Sequence, residues 1–233
     1  VVEGLDAIDP SIRVLDMSRI GAVLTGDKHD IGCGPPVTAM LIQNTNPMVV
    51  APEHNIVRQG FARDDLFVCV HEQFMTETAK MADIVLPATT FLEHDDLYQA
   101  AGQMHVQVHR AIIDPPGETR SNHWVLSQLA ERLGAVHEGF DMTEWELVDR
   151  TLKDSGWPGA EELLERKWLD VQPSFDKAHF LEGFPTPNGK FKFSADWSAL
   201  GPLGYKLPSL PDYCPNIDLA TKNKPFRMIT SPA

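Results

Sequence analysis

Between Val37 and Pro87 the chain alternates short apolar runs with helix-like segments, and this alternation limits the fold more than anything else in the sequence. The runs are "VTAMLIQ" (Val37 to Gln43), "DLFVCV" (Asp65 to Val70) and "DIVLP" (Asp83 to Pro87). Each is short, rich in branched residues and bounded by Gly, Pro, Asn or Asp, as buried strands are. Between the first two lies "PEHNIVRQGFA", with Pro52 suited to a first helical turn and Ile56, Val57 and Phe61 on one face. Between the second and third lies "TETAKMA", which reads as a helix opening on a Thr cap with Glu77 in its first turn. Strands separated by short helical crossovers connect right-handedly into a parallel sheet. The expected class is α/β: a Rossmann-like open parallel sheet flanked by helices, followed by a helical and irregular C-terminal excursion.

The ends of this unit are also marked. Residues 1–36 form a leading segment closing in the loop-like "GDKHDIGCGPP". "SNHWVLSQLAERLG" has a Ser cap, apolar residues at Val125, Leu126, Leu129 and Leu133, and a terminal Gly134. The α/β domain is therefore expected over residues 37–136. A helical and irregular extension follows over 137–222, with amphipathic helices in "TEWELVDRTLKDSG" and "AEELLERKWLD" and an exposed strand in "GKFKFSA". Residues 223–233, ending "KPFRMITSPA", read as the first strand of a further, truncated domain.

Composition removes several functions. The chain carries 33 acidic and 20 basic residues, a net charge of −13, which disfavours nucleic acid as a partner. No apolar run approaches the roughly 20 residues of a membrane span, and "VVEGLDAIDP" does not look like a signal peptide. Cys33, Cys69 and Cys214 are far apart, without a CxxC, so neither a disulfide framework nor a zinc site is supported.

"HEQFM" (His71 to Met75) is not a zincin motif, because Met75 stands where the second imidazole is required. No G-x-S-x-G elbow, G-x-G-x-x-G or Walker sequence is present, and the prolines of "GCGPP" remove amides that a phosphate would use. In "MHVQVHR", His105, Gln107 and His109 share one strand face, best read as a solvated one. What remains are two loops leaving the C-terminal ends of neighbouring strands, "NTNP" and "HEQFMT". Open parallel sheets bind ligands at that position. Guanine offers N1–H and N2 amino donors side by side, which the Glu72 carboxylate can accept together. Thr76 and Thr78 at a helix start suit a phosphate or ribose. Asn44 and Asn46 offer amides, or simply form the turn.

"NTNPMVVAPE", "HEQFMTETAKMADIVLPATTFLEHDD" and "PPGETRSNHWVLSQLAERLG" together resemble the molybdopterin oxidoreductase family. That group includes formate dehydrogenases, nitrate reductases and dimethyl sulfoxide, trimethylamine N-oxide and biotin sulfoxide reductases. The resemblance implies a molybdenum or tungsten ion held by molybdopterin guanine dinucleotide, with this chain cradling the guanine end of one such cofactor. It implies cofactor contacts at Asn44, Asn46, His71, Glu72, Thr76, His94 and Asn122. Glu72 stands where the family usually has Asp, His94 where some members have Lys, and Asn122 where many have Asp. The family's metal ligand and its cysteine-rich iron–sulfur segment have no match, so no catalytic or metal-binding residue is assigned. The chain is expected to be an internal piece of a two-electron or oxygen-atom-transferring enzyme, inactive alone. Its partners would be the remaining domains of the same polypeptide and an electron-transfer subunit. The expected compartment is the cytoplasm, although relatives also work in the periplasm. Two alternatives stand beside this: a stand-alone purine-nucleotide module, and a non-catalytic scaffold.

Overall fold

A computed structural model of the chain describes residues 12–194, 196–197, 208–210, 212–213 and 220–226. The polypeptide forms two compact units, Val1–Gln172 and Pro173–Ala233.

In the first unit, helices α1 (Ile20–Thr25) and α2 (Lys28–Ile31) precede strand β1 (Ala39–Gln43). Helices α3 (Pro47–Val50) and α4 (His54–Phe61) cross over to β2 (Phe67–Glu72), and a single 3-10 turn, Ala79–Met81, leads to β3 (Ile84–Pro87). The three strands lie parallel in the order β1-β2-β3. The α/β reading therefore holds, with one correction: "TETAKMA" is one tight turn, not a helix. Thr76 does cap it, its Oγ1 accepting the Ala79 N–H at 3.1 Å. Only three residues remain before Ala82 turns extended to enter the sheet, where Asp83 Oδ2 accepts the Val68 N–H at 2.7 Å.

Alternation places Ile42, Val68 and Val70 on one sheet face, where they pack with Leu24, Met48, Val57, Phe61, Leu66 and Ala79. The leading segment contributes more than a loop, since α1 supplies Leu24 to this core. Two glycines permit the close crossing of α1 and α4. A Cβ at Gly60 would stand 2.5 Å from the Leu24 Cβ, and one at Gly21 would stand 2.8 Å from the Val57 nitrogen.

A second sheet follows, of which only the central strand, in "MHVQVHR", is read from the sequence. Strands β4 (Asp96–Gln99) and β5 (His105–His109) pair antiparallel, and β5 then pairs with β6 (Leu169–Asp170). Between them run α5 (Asn122–Leu133), α6 (Glu138–Asp141), α7 (Glu144–Asp154) and α8 (Ala160–Arg166). Val106 and Val108 of β5 bury against Trp145, Leu152, Ala160 and Leu163, leaving His105 and Gln107 outward. The unit thus continues through residue 172, and residues 137–172 share a core with β5 of the 37–136 segment.

The second unit contains α9 (Phe175–Ala178) and a run of ring contacts, Phe180 on Phe184, Phe184 on Phe191 and Phe191 on Phe193. The strand expected in "GKFKFSA" is absent among the described residues 189–194. Its place is taken by a turn in which Gly189 N–H meets the Thr186 carbonyl and the Thr186 hydroxyl meets the Lys190 carbonyl. Alternation alone does not make a strand without a partner. Most of the strand expected over 223–233, from residue 227 on, lies outside the described residues, as does Cys214. No helix among the described residues is long and apolar enough to cross a membrane.

Candidate functional site

β1 ends at Gln43, and Asn44 turns the chain with a φ of 55°, a left-handed conformation that Asn tolerates better than most residues. The loop is then pinned from beneath. Asn46 Oδ1 accepts the Thr78 hydroxyl at 2.7 Å and the Thr78 N–H at 3.3 Å. The same hydroxyl, fully buried, accepts the Met48 N–H at 3.1 Å. Asn46 is thereby committed to joining the loop after β1 to the turn after β2.

His71 is committed more completely. Its ring is fully buried, with Nδ1 3.1 Å from Gln43 Nε2 and Nε2 3.0 Å from the Arg120 carbonyl. An amide NH2 can only donate, so Nδ1 accepts and Nε2 carries the hydrogen. The imidazole ties β1 and β2 to the segment before α5, where Arg120 runs beside β3 through a parallel bridge to Ala88. Glu72, half-buried at the end of β2, accepts the Gln73 N–H at 2.8 Å through Oε1. Thr76 caps its own turn.

The residues that come together surround a cleft of about 380 Å³ beyond the C-terminal ends of the sheet. Asn44 follows β1, Gln73 follows β2, and Ala88 and Thr89 follow β3, so three successive post-strand loops line it. Ser121, Asn122 and His123, at the start of α5, close another side. Ser121 Oγ accepts the Trp124 N–H at 3.1 Å, which leaves the first amides of the helix for a ligand. His94 enters from the loop before β4, its Nδ1 2.9 Å from Thr89 Oγ1 and its Nε2 3.6 Å from Asp96 Oδ2. Glu144 arrives from the first turn of α7, with Oε2 accepting the Asp95 N–H at 3.3 Å. Partial burial, with Asp96 close by, pushes the Tyr98 phenol up, so this wall presents a neutral hydroxyl at ordinary pH.

Of the seven residues expected from the sequence, the cleft therefore gathers Asn44, His94 and Asn122. His71 uses both ring nitrogens inside the scaffold, Asn46 and Thr76 bond to it through Oδ1 and Oγ1, and Glu72 stands outside the lining. Sequence reasoning missed Gln73, Thr89, Tyr98 and Glu144. Gln73 was legible, as the first residue past the β2 end. Glu144 was not, because α7 enters the cleft from a distant segment.

The lining mixes amide and hydroxyl donors with acceptors of its own. Asp95 is taken up by Arg110 at 2.8 Å and the Ala111 N–H at 2.8 Å. Asp96 and Glu144 remain to accept bonds from a ligand's hydroxyl or amino groups. Two carboxylates in so acidic a chain disfavour an anion bound at the centre of the cleft and suit a donor-rich sugar or base there. An anionic group is better placed at the α5 end.

Residues 29–132 match the family model described as molybdopterin oxidoreductase. The chain belongs to the molybdopterin oxidoreductase family. The matched segment spans β1 to β5 and most of α5, and so includes every sheet-side wall of the cleft; Glu144 lies beyond it. Across 224 residues the chain is 35% identical to the probable oxidoreductase YoaE of Bacillus subtilis, covering 94% of this chain and 31% of that protein. It is 28% identical over 172 residues to formate dehydrogenase H of Escherichia coli, covering 70% of this chain and 24% of that one. The acetylene hydratase of Pelobacter acetylenicus superposes with a TM-score of 0.64 over 89% of this chain and 27% of its own, at 23% identity, and shares the fold. The chain thus spans about a third, or less, of the length of these relatives.

Proposed function

We propose that this chain is the nucleotide-cradling part of a longer molybdenum or tungsten oxidoreductase, and that its cleft holds the guanine nucleotide end of a molybdopterin guanine dinucleotide. The observation that carries this reading is the convergence of all three post-strand loops and the α5 N-terminus on one polar cleft. Crevices beyond the strand ends of open parallel sheets bind nucleotides in this position. The donor set fits the group. Asn44, Gln73 and Asn122 present amides that can both give and take hydrogen bonds, the α5 amides favour a phosphate, and the carboxylates of Asp96 and Glu144 accept from ribose hydroxyls or base amino groups.

In this role the chain's residues do no bond-breaking chemistry. Asn44 and Asn122 orient the nucleotide, and the Asn46–Thr78 clamp and the His71 bridge hold the loops that carry them. Glu72, outside the cleft lining at the rim of β2, would reach the guanine N1–H and N2 donors where the base extends over that rim, Oε2 accepting one and Oε1, shared with the Gln73 N–H, the other. The bound metal supplies the two-electron or oxygen-atom chemistry, and the protein supplies placement and electrostatics. The rest of the polypeptide would contribute the metal ligand and any iron–sulfur cluster, and an electron-transfer subunit would exchange electrons with it.

Competition binding of GMP, IMP and AMP to the full-length polypeptide, freed of cofactor, tests the reading. IMP lacks only the N2 amino group. GMP should bind roughly tenfold or more tightly than IMP, the effect of one unmatched buried acceptor, and Glu72→Gln should erase the difference. Equal binding of all three would favour a scaffold role.

A further inference from the structure

The loop after β3 brings an apolar ring to a cleft that is otherwise polar on this side. Phe91 lines it together with Asn44, Gln73, Thr89 and His94. Its side chain is 60% exposed, whereas Phe61 in the core of the same unit is 4% exposed. Solvated turns draw on Gly, Pro, Asn, Asp and Ser, each for a conformational or hydrogen-bonding reason that Phe does not share.

The turn that presents Phe91 is fixed by its own hydrogen bonds and by its neighbours. The Glu93 N–H donates to the Thr90 carbonyl at 3.0 Å, and the Thr90 N–H donates to Glu93 Oε2 at 2.9 Å, which closes the turn around Phe91. The next carbonyl, of Leu92, accepts the Ile112 N–H at 2.9 Å. Gln73 Nε2 donates to the Thr89 carbonyl at 2.8 Å and so ties this loop to the one after β2. That bond orients the amide and leaves Gln73 Oε1 as the acceptor it brings to the lining. Tyr98, the other phenyl ring of the lining, is engaged already: it stacks on His109 with centroids 4.9 Å apart and 21° between the planes.

A flat ring with polar groups at its edge and none on its faces matches this wall, because amides and carboxylates meet the edge and an aromatic side chain meets a face. We infer that Phe91 is the stacking platform for the base of the bound nucleotide, with Glu72 and Gln73 at the edge of that base. This rests on the reading of the cleft as a guanine-nucleotide site. It adds a residue that holds the base without reading its identity, since every base has a π-face and stacking contributes affinity more than discrimination. The turn is closed before the ligand arrives, so little ordering entropy is lost when the ring is covered. Fixing the plane of the base in this way aims its edge donors at the β2 rim.

Competition binding of GMP and IMP to the full-length polypeptide, freed of cofactor, tests this with Phe91→Leu and Phe91→Trp, the fold of each being checked by circular dichroism. Phe91→Leu keeps an apolar side chain and removes the π-face. GMP and IMP should both weaken by about tenfold or more, by the same factor, so that their ratio stays as in the wild type. Phe91→Trp should bind both at least as tightly as the wild type, and the indole emission it adds should be quenched by saturating GMP. Affinities of Phe91→Leu within about twofold of wild type, a changed GMP-to-IMP ratio, or a Trp variant as weak as the Leu variant would overturn the proposal. If the wild type still prefers GMP in that case, the nucleotide reading stands and only the role of Phe91 falls. A wild type that binds neither nucleotide removes both.

Discussion

Thr78 gives the sharpest test of how the cleft loops are held. The hydroxyl is fully buried and makes two bonds, donating to Asn46 Oδ1 at 2.7 Å and accepting the Met48 N–H at 3.1 Å. Thr78→Val keeps the side-chain volume and removes both. The Met48 N–H, on a residue 4% exposed, is left without an acceptor, and Asn46 Oδ1 keeps only the longer bond to the Thr78 N–H. A buried group deprived of its partner costs about 1–3 kcal/mol, so the loop should lose about 2–4 kcal/mol. Thr78→Ser keeps the hydroxyl and sheds one methyl, a loss of about 1 kcal/mol. Hydrogen exchange of the peptide spanning Asn44 to Pro52, in the full-length polypeptide, reads the difference locally. At 1.4 kcal/mol per tenfold, the Val variant should exchange on the order of 30-fold faster or more, and the Ser variant less than about tenfold faster. Exchange of the Val variant within about threefold of wild type, or a Ser variant faster than the Val variant, would refute the clamp.

Other outcomes follow from the same contacts. His71→Leu should lower stability by about 1–3 kcal/mol, because it leaves the half-buried Gln43 amide without its acceptor while the Arg120 carbonyl keeps the Thr89 N–H; a thermal or denaturant transition measures it. The hydrogen bond from Arg19, together with its charge, holds Asp30 below the usual carboxylate range, and a bond and charge from Lys153 with the Ala160 N–H do the same for Asp149. A depressed folded pKa gives stability that is complete above the unfolded value of about 4 and disappears as pH falls through the lower folded value. The melting temperature should therefore be level between about pH 7 and pH 5 with respect to these groups and fall below about pH 4. Asp30→Asn, measured against wild type, should show a smaller loss over that acid range.

The parallel sheet was legible because its signals are local. β1, β2 and β3 lie where the apolar runs do, and α5 starts on the Ser121 cap and stops at Gly134 as its ends foretell. The second sheet, apart from β5, was not, because β4 is written in "DLYQ" beside a cluster of acids and β6 is two residues long, paired across more than sixty positions. Conversely, "GKFKFSA" has the alternation of a strand but pairs with no strand among the described residues. The site divides in the same way. Asn44 was legible from its place at a strand end, and Asn122 only through the family resemblance. Asn46, His71 and Thr76 make hydrogen bonds within the scaffold, and sequence cannot show which polar groups the scaffold itself engages. His71 meets Arg120 across 49 residues, a contact that no local pattern announces. Glu144 enters the cleft from α7 by the packing of the second core, which has no counterpart in the strand-end logic that identified the rest.

The most direct measurement of the central claim is the nucleotide content of the purified full-length polypeptide, with and without Asn44→Ala and Asn122→Ala. Acid hydrolysis of a bound dinucleotide releases its mononucleotide for chromatographic identification. The account predicts GMP without AMP from the wild type, and a clear loss of GMP per polypeptide from the double variant while the fold, by circular dichroism, persists. Release of AMP, or an unchanged GMP content in the double variant, would contradict it.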